Sequence, residues 1–294
     1  EYDSPGFNPD RRVRLIEDQS GELVALIEVW DDTDPPVHPY SWCTVDPALE
    51  NQGLEAYLLA RGEERAKQAL DRVGSELRVA MRAHSSHAIQ SASKAKLAAG
   101  FKCIRHGYRM RIEMEKAPPV PVWPEGVALR LYDPDHDARE VYRVDEEAFE
   151  DHFGFVKEDP EVGFERFMHH MTGDDSYDPS LWFLAVAGDE IVGICICRSY
   201  GPEEEGSGWV SSLGIKRAWR RKGIALALLQ HSFGEYYNRG ITKVGLGVDA
   251  ESLTGATDLY KKAGMFVQRQ YDLYEKELRP GLEVSVTELE TSEA

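Results

Sequence analysis

The clearest hydrophobic pattern of the chain lies in its second half, around residues 209–229. Apolar and polar positions alternate from Trp209 to Ile215, which predicts a half-buried strand. From Gly223 onward apolar residues recur at helical spacing, which predicts a helix over 223–237. The turn between these elements is crowded with cationic side chains: Lys216, Arg217, Arg220, Arg221 and Lys222.

Apolar periodicity also predicts the other elements of the second half. Helices are predicted at 135–150, 161–171 and 254–263, the last ended by Gly264. Strands are predicted at 127–131, 243–249 and 265–278, with a hairpin of 181–187 and 191–199 that turns at Gly188-Asp189.

The first half gives a similar series of elements. A hairpin of 12–16 and 23–30 turns around Gly21, and further strands are predicted at 42–45, 77–81 and 101–114. Helices are predicted at 54–73 and at 91–99, the latter ended by Gly100. The proline-rich stretch 117–124 cannot be helical and favours an extended linker.

The two halves repeat one another. Val45-Asp-Pro-Ala48 lies before Gly53, and Ile215-Lys-Arg-Ala218 lies before Gly223 at the same spacing. Similar elements follow in each half. We therefore predict a domain at 1–116, a linker at 117–125, a second domain at 126–280 and an acidic tail at 281–294. The first copy lacks the opening strand and helices of the second, so it is either degenerate or N-terminally incomplete.

Composition narrows the possible partners and the cellular setting. The chain has 294 residues and a formal net charge of -18, which argues against nucleic acids and anionic membranes as partners. No signal peptide or membrane-length apolar run is present. The polar start without Met suggests a processed, trimmed or disordered N-terminal portion. We expect a cytoplasmic monomer or homodimer.

The four cysteines do not indicate a metal site. Cys195 and Cys197 are two apart in an apolar run and would share one face of a strand. Neither they nor Cys43 and Cys103 show the spacing of a zinc site, so reduced cysteines and no metal are expected.

The cationic turn before Gly223 has the properties of an anion site. Free N–H groups of the first helical turn, the positive end of the helix dipole and the cations would together hold a pyrophosphate. The alternative is a solvated basic turn before an ordinary core helix. The stretch is neither a Walker loop nor a dinucleotide fingerprint, because neither glycine pattern is present.

Two motifs resemble those of the GNAT acetyltransferase superfamily. Arg220-x-x-Gly223-x-Ala225 is similar to its motif A, and the stretch 248–265, with Leu259-Tyr260 and Gly264, is similar to its motif B. The tandem layout resembles mycothiol synthases and related tandem GNAT proteins. The implied fold is α/β, with two tandem GNAT-like domains of mixed sheets flanked by helices.

The resemblance implies an acetyl-CoA site in the second domain. The strand end formed by Leu213, Gly214 and Ile215 would hold the pantetheine arm and the thioester. The pyrophosphate would be wrapped by Arg220, Arg221, Lys222, Gly223, Ile224, Ala225 and Leu226. Ser252 stands where the motif commonly has Asn. Tyr260 takes the place of the general acid that protonates the leaving thiolate, although it could equally be a core residue.

The resemblance also places the acceptor site between the first two helices of the second domain. There, Phe149, Asp151 and His152 are the candidates to bind an amine or relay its proton. The alternative is a surface loop with a phenylalanine anchor. In the first copy Glu50 and Glu55 replace Arg220 and Ala225, so we expect no cofactor site there, because carboxylates repel a pyrophosphate.

The expected function is direct acetyl transfer from acetyl-CoA to a primary amine of a small molecule. Two alternatives stay open from the sequence. One is the mycothiol synthase reaction itself. The other is a non-catalytic module that binds acyl-CoA or another protein.

Overall fold

The structure, a computed structural model, describes residues 8–201, 204–252 and 255–287. The first half contains α1 (Pro9–Arg12), β1 (Val13–Glu17), β2 (Leu23–Trp30), β3 (Tyr40–Val45), α2 (Leu54–Ala66), β4 (Val79–Ser86), α3 (Gln90–Ala98) and β5 (Lys102–Glu113). Short 3-10 turns occupy Pro47–Leu49 and Lys67–Arg72.

The second half contains β6 (Ala128–Leu131), α4 (Ala138–Phe149), α5 (Pro160–Thr172), β7 (Tyr177–Ala187), β8 (Glu190–Arg198), β9 (Gly208–Ile215), α6 (Ile224–Asn238), β10 (Lys243–Asp249), α7 (Ala256–Lys262) and β11 (Phe266–Arg279). A 3-10 turn, Arg217–Trp219, separates β9 from α6. The linker at 117–125 has no helix or strand, as its prolines predict. Within the described ranges, no helix is long and apolar enough to cross a membrane.

Some elements differ from their predicted bounds for local reasons. The strand expected at 77–81 begins at Val79 and continues to Ser86, because half-buried Arg82 and His84 alternate with buried residues on its other face. The helix expected at 54–73 ends at Ala66 and tightens into 3-10 turns. The strands expected at 265–278 are one strand, β11.

The described residues form two compact units, and neither unit is continuous in sequence. Unit 1 combines the residues up to Gly107 with Arg269–Val284, and unit 2 combines Tyr108–Gln268 with the residues from Ser285 on. The strands β5 and β11 each begin in one unit and end in the other. The predicted domains at 1–116 and 126–280 describe the two repeated segments of the sequence. Each compact unit instead contains strand residues from both segments.

Unit 1 is built on strands in the order β1-β2-β3-β4-β11. The pair of β4 and β11 is antiparallel, from Tyr271 opposite Ser86 to Arg279 opposite Val79. Its core is closed by α2 and by Tyr274 of β11 and includes Ala25, Ile27, Leu58, Leu59, Met81 and Phe101.

Unit 2 has the strand order β5-β10-β9-β8-β7-β6. Its sheet is mixed: β6 to β9 pair antiparallel, and β9 pairs parallel with β10. The side chains of α6, α7 and the end of β5 pack with residues of β7 to β10 in one core, which includes Met110, Ile112, Leu228, Phe233 and Tyr260. A second core, formed largely by α4 with β7 and β8, includes Val141, Val144, Trp182 and Ile194.

Candidate active site

The pairing of β9 with β10 stops early and leaves a crevice between the two strands. The parallel ladder joins Gly208 to Val244 and ends where Val210 lies opposite Leu246. Both strands continue beyond this point, β9 to Ile215 and β10 to Asp249. On its other edge β9 stays paired with β8 as far as Ile215. Backbone groups of β9 on the β10 side are therefore available to an extended ligand.

The crevice leads into the N-terminus of α6. Arg221 and Gly223 have left-handed backbone conformations, with φ of 65° and 89°. Gly223 is the N-cap and has no side chain to accept from the first N–H groups of α6. A Cβ at Gly223 would meet nothing within 4 Å, so the backbone conformation, rather than crowding, requires glycine here. The open side of the turn exposes an uncapped, electropositive helix end.

Protein carboxylates already pair with three of the five cations in this turn. Lys216 contacts Glu140 and Glu190, Arg217 contacts Glu150 and Asp151, and Arg220 contacts Asp151. Lys222 places its Nζ 4.3 Å from the centre of the Trp219 ring. Arg221 has no ion pair within the described part of the chain. Arg221 and Lys222 are therefore the side chains best placed to meet an anion.

The pair of Arg220 and Asp151 joins two groups of predicted site residues. Arg220 Nη1 donates to Asp151 Oδ2 at 2.5 Å, and Nη2 donates to the carbonyl of Ala148 at 3.0 Å. Its Nε also donates to the carbonyl of Ile215 at 3.3 Å. Burial is the largest single influence on Asp151 and acts to raise its pKa, but the hydrogen bond and charge of Arg220, with the nearby charges of His152 and Arg217, together lower that pKa. Asp151 is thus an anion that ties the end of α4 to the end of β9.

The other predicted acceptor residues lie at the same end of β9. A Cβ at Gly214 would lie 2.9 Å from Ala148 Cβ and 3.5 Å from Phe149 Cε2, so α4 packs directly on this glycine. The His152 ring stands edge-on to Phe149, with ring centroids 4.6 Å apart. The last residue of α4, Phe149, and the loop that follows it, with Asp151 and His152, therefore lie beside the predicted thioester position.

The C-terminal segment reaches this loop. Gly154 N–H donates to the Val286 carbonyl at 2.8 Å, and Val286 N–H donates to the Phe155 carbonyl at 3.0 Å. The described start of the predicted acidic tail, 281–287, is thus hydrogen-bonded to the fold. The rest of that tail lies outside the described residues.

Sequence reasoning missed one carboxylate near the site. Asp145 lies on α4, one turn before Phe149, and its Oδ1 accepts from the Ser212 hydroxyl at 2.5 Å. Burial raises the pKa of Asp145 to about 6, although the bond from Ser212 acts in the opposite direction. The spacing of Asp145 and Phe149, four residues apart on one predicted helix, would have placed both on the same face.

Tyr260 is a core residue in this structure. Its side chain belongs to the core under α6, and the residue is only 8% exposed. Burial raises its pKa, so the phenol stays protonated at neutral pH. Ser252 lies in the turn before α7, where its N–H donates to the Asp249 carbonyl at 3.2 Å.

The hydrophobic residues that were predicted to bind the cofactor contribute to packing. Ile224 is buried in the α6 core, and Leu213, Ile215 and Leu226 pack against it. Any contact that Leu213 or Ile215 makes with a ligand in the crevice would come mainly from the backbone. Ala225 lies next to Ile224 in the first turn of α6.

The first copy repeats the backbone of the site but not its charges. Asn51 and Gly53 have φ of 62° and 92°, close to those of Arg221 and Gly223. The parallel pairing of β3 with β4 is also short, ending where Ser41 lies opposite Ala83. The charges differ, because Glu55 lies in the first turn of α2. Lys96 of the first copy corresponds to Tyr260, because each lies four residues before a glycine, Gly100 or Gly264. Lys96 is buried.

Comparisons with known proteins agree with this geometry. The model of the acetyltransferase (GNAT) family matches residues 134–265. A solved GCN5-related N-acetyltransferase from Sphaerobacter thermophilus is 36% identical, with a TM-score of 0.80 over 97% of this chain and 86% of its own. A mycothiol acetyltransferase from Streptomyces bingchenggensis is 29% identical over 269 residues, 90% of this chain and 80% of the relative.

A fourth comparison concerns the tandem arrangement of the fold. A tandem GNAT protein from the clavulanic acid biosynthesis pathway has a TM-score of 0.65 at 14% identity, over 90% of this chain and 82% of its own. The fold and the crevice are those of an N-acetyltransferase. The chain belongs to the GNAT family.

Proposed function

We propose that unit 2 transfers an acetyl group from acetyl-CoA to a primary amine of a small molecule. The observation that carries the proposal is the β9–β10 ladder, which ends at Val210 and Leu246 and opens toward the uncapped start of α6. The pantetheine arm would lie along Leu213–Ile215. The pyrophosphate would accept from the N–H groups of the first α6 turn, with Arg221 and Lys222 beside it.

Activation of the acetyl-CoA thioester would depend on the backbone more than on side chains. A backbone N–H at the end of β9 would donate to the thioester oxygen and stabilise the charge that develops there during attack. Because β9 is fixed by β8 on its other edge, this donor would be held in place before the reaction.

Asp145 is the proposed general base. It lies on the acceptor side of β9, and its contact with Ser212 places it one residue from Leu213. With a pKa near 6, the carboxylate is mostly ionised at pH 7 and is a stronger base than an exposed aspartate. It would take a proton from the ammonium directly or through water.

The proposed transfer also accounts for every proton and gives roles to Tyr260 and Asp151. The C–N bond forms and the C–S bond breaks, and Tyr260 donates a proton to the departing sulfur. Of the three ammonium protons, one stays on the amide nitrogen and one passes to Asp145 and then to solvent. The third replaces the proton lost by Tyr260. Asp151 would hold Arg220 and the acceptor loop in position.

A narrower acceptor is supported by the relatives. Several proteins of 26–29% identity are named mycothiol acetyltransferases. The acceptor implied is the cysteinyl amine of a cysteinyl-glucosaminyl-inositol. Comparing kcat/KM for this substrate with a panel of simpler primary amines distinguishes a mycothiol synthase from a more general transferase.

Calorimetric titration of acetyl-CoA tests the cofactor site, because the two copies provide a matched control. Gly223 and Gly53 are both left-handed N-caps with open space beyond the α-carbon. We expect one binding site in the wild type, lost in Gly223→Glu and retained in Gly53→Glu. Absence of binding in the wild type, or loss only in Gly53→Glu, would refute the proposal.

A further inference from the structure

A cluster of potential metal ligands lies in unit 1, whereas the crevice between β9 and β10 belongs to unit 2. Cys103 and His106 come from β5 and Asp272 from β11, and one ligand atom of each lies within 4.8 Å of the other two. The Nδ1 of His106 lies 2.8 Å from Asp272 Oδ1. The Nδ1 of His87 lies 2.8 Å from Asp272 Oδ2.

The strand order explains how these distant residues meet. Within unit 1, β11 lies between β4 and β5. Asp272 lies opposite Ser85 of β4, and the His87 N–H donates to the Gln270 carbonyl at 3.0 Å, which continues the pairing past the end of β4. The central strand therefore supplies the carboxylate, while its two neighbours supply the imidazoles and the thiol.

The carboxylate is fixed and the other ligands face solvent. The Asp272 side chain is 7% exposed, and its Oδ1 also accepts from Gln270 Nε2 at 3.0 Å. The side chains of His87 and His106 are 57% and 43% exposed, and Cys103 is exposed. A cation could therefore enter from solvent and meet a carboxylate that is already oriented.

The donor set suits zinc better than calcium or magnesium. Thiolate and imidazole are ligands of Zn²⁺, whereas the harder cations prefer oxygen ligands alone. At zinc bond lengths of about 2.0–2.3 Å, tetrahedral ligand atoms lie roughly 3.3–3.8 Å apart. His106 Nδ1 and Asp272 Oδ1 are 2.8 Å apart, and the three ligand atoms lie within 4.8 Å of one another, so side-chain shifts of about 1 Å would bring them to that spacing.

We propose that unit 1 binds Zn²⁺ through Cys103 Sγ, His106 Nδ1 and one oxygen of Asp272. His87 hydrogen-bonds to the other oxygen of Asp272 and orients the carboxylate, as partners of metal ligands commonly do. Water completes the coordination. The ion would bridge β5 and β11 and so stabilise unit 1, since binding to the folded state alone adds to its stability.

Cobalt titration of the full chain tests this site, because tetrahedral cobalt–thiolate complexes are coloured and Zn²⁺ displaces the cobalt. We expect one equivalent of Co²⁺ to give a thiolate charge-transfer band that one equivalent of Zn²⁺ removes. Cys103→Ser should abolish the band, and Asp272→Asn should weaken binding at least tenfold. Cys43→Ser is the matched control and should keep the band.

Thermal unfolding with and without Zn²⁺ provides a second readout. Zn²⁺ should raise the midpoint of the wild type and of Cys43→Ser but not that of Cys103→Ser, whose fold is checked by its circular dichroism without metal. No saturable cobalt band in the wild type, or a band that persists in Cys103→Ser, would overturn the proposal. A thermal shift that survives in Cys103→Ser would also overturn it.

Discussion

Arg220 donates to Asp151 at 2.5 Å, so a predicted cofactor ligand and a predicted acceptor ligand are each other's partners. The same guanidinium also bonds the carbonyls of Ala148 and Ile215. The loop after α4 and the turn before α6 are therefore coupled. A substitution of either Arg220 or Asp151 should affect the binding of both the amine and acetyl-CoA.

Asp151→Asn is expected to destabilise unit 2 without removing a proton acceptor. The change leaves the partly buried Arg220 without its counter-charge, at a cost of about 1–3 kcal/mol. Urea unfolding measures this loss. We also expect a higher KM for the amine and an unchanged shape of the pH–rate profile. A double-mutant cycle with Arg220→Gln should show coupling, and strict additivity would contradict the pairing.

Asp145→Asn should remove the acidic limb of the pH–rate profile. In the wild type, kcat/KM should rise with pH through the Asp145 pKa of about 6, because only the carboxylate can accept the proton. The loss of rate should be about 10²–10⁴-fold, the usual contribution of a general base. Ser212→Ala is the companion variant: it removes the hydrogen bond that lowers this pKa, so the limb should move to higher pH. An Asn variant of wild-type activity would exclude Asp145 as the base.

Asp145→Asn should also change how stability depends on pH. The pKa of Asp145 is raised in the folded state, so this state binds the proton more tightly than the unfolded chain. The Asp145 contribution to the free energy of unfolding is therefore favourable at low pH. It falls as pH rises from about 4, the unfolded value, to about 6. Urea unfolding at about pH 4.5 and about pH 7, near the lower end of this window and above it, should show a change of stability with rising pH that is less favourable in the wild type than in the Asn variant. An equal change in the two proteins would mean that the pKa of Asp145 is not raised.

Tyr260→Phe should separate packing from catalysis. Phenylalanine retains the ring within the α6 core, so the thermal midpoint and the acetyl-CoA affinity should stay close to those of the wild type. Loss of the hydroxyl should lower kcat by about 10²-fold or more if it donates a proton to sulfur. Unchanged turnover with the physiological amine would show that Tyr260 serves packing alone.

Ala225→Glu should abolish acetyl-CoA binding while preserving the fold. It places in α6 the carboxylate that Glu55 places in the first turn of α2. A negative charge near a helix N-terminus favours the helix but repels a pyrophosphate. Ala225→Gln provides a control of similar size without charge and should bind more tightly than the Glu variant. Equal affinities of the two variants would argue against a phosphate position at this turn.

The sequence by itself determined the repeat, the order of the elements and the turn before α6. These features are local: strand and helix periods and a glycine at positive φ depend on neighbouring residues, and so they can be read from spacing. For this reason the spacing of Gly53 and Gly223 predicts that they are equivalent, and their φ values of 92° and 89° are nearly equal. The buried pair Cys195 and Cys197 was predictable for the same reason.

Only the tertiary structure decided which distant residues meet. Asp145 and Ser212 are 67 residues apart, Arg220 and Asp151 are 69 apart, and His106 and Asp272 are 166 apart. Their contacts depend on how strands are ordered in a sheet and on which unit each part of β5 and β11 joins. Periodicity specifies which face of a strand is buried, but it does not specify the neighbouring strand, because that choice depends on packing of the whole chain.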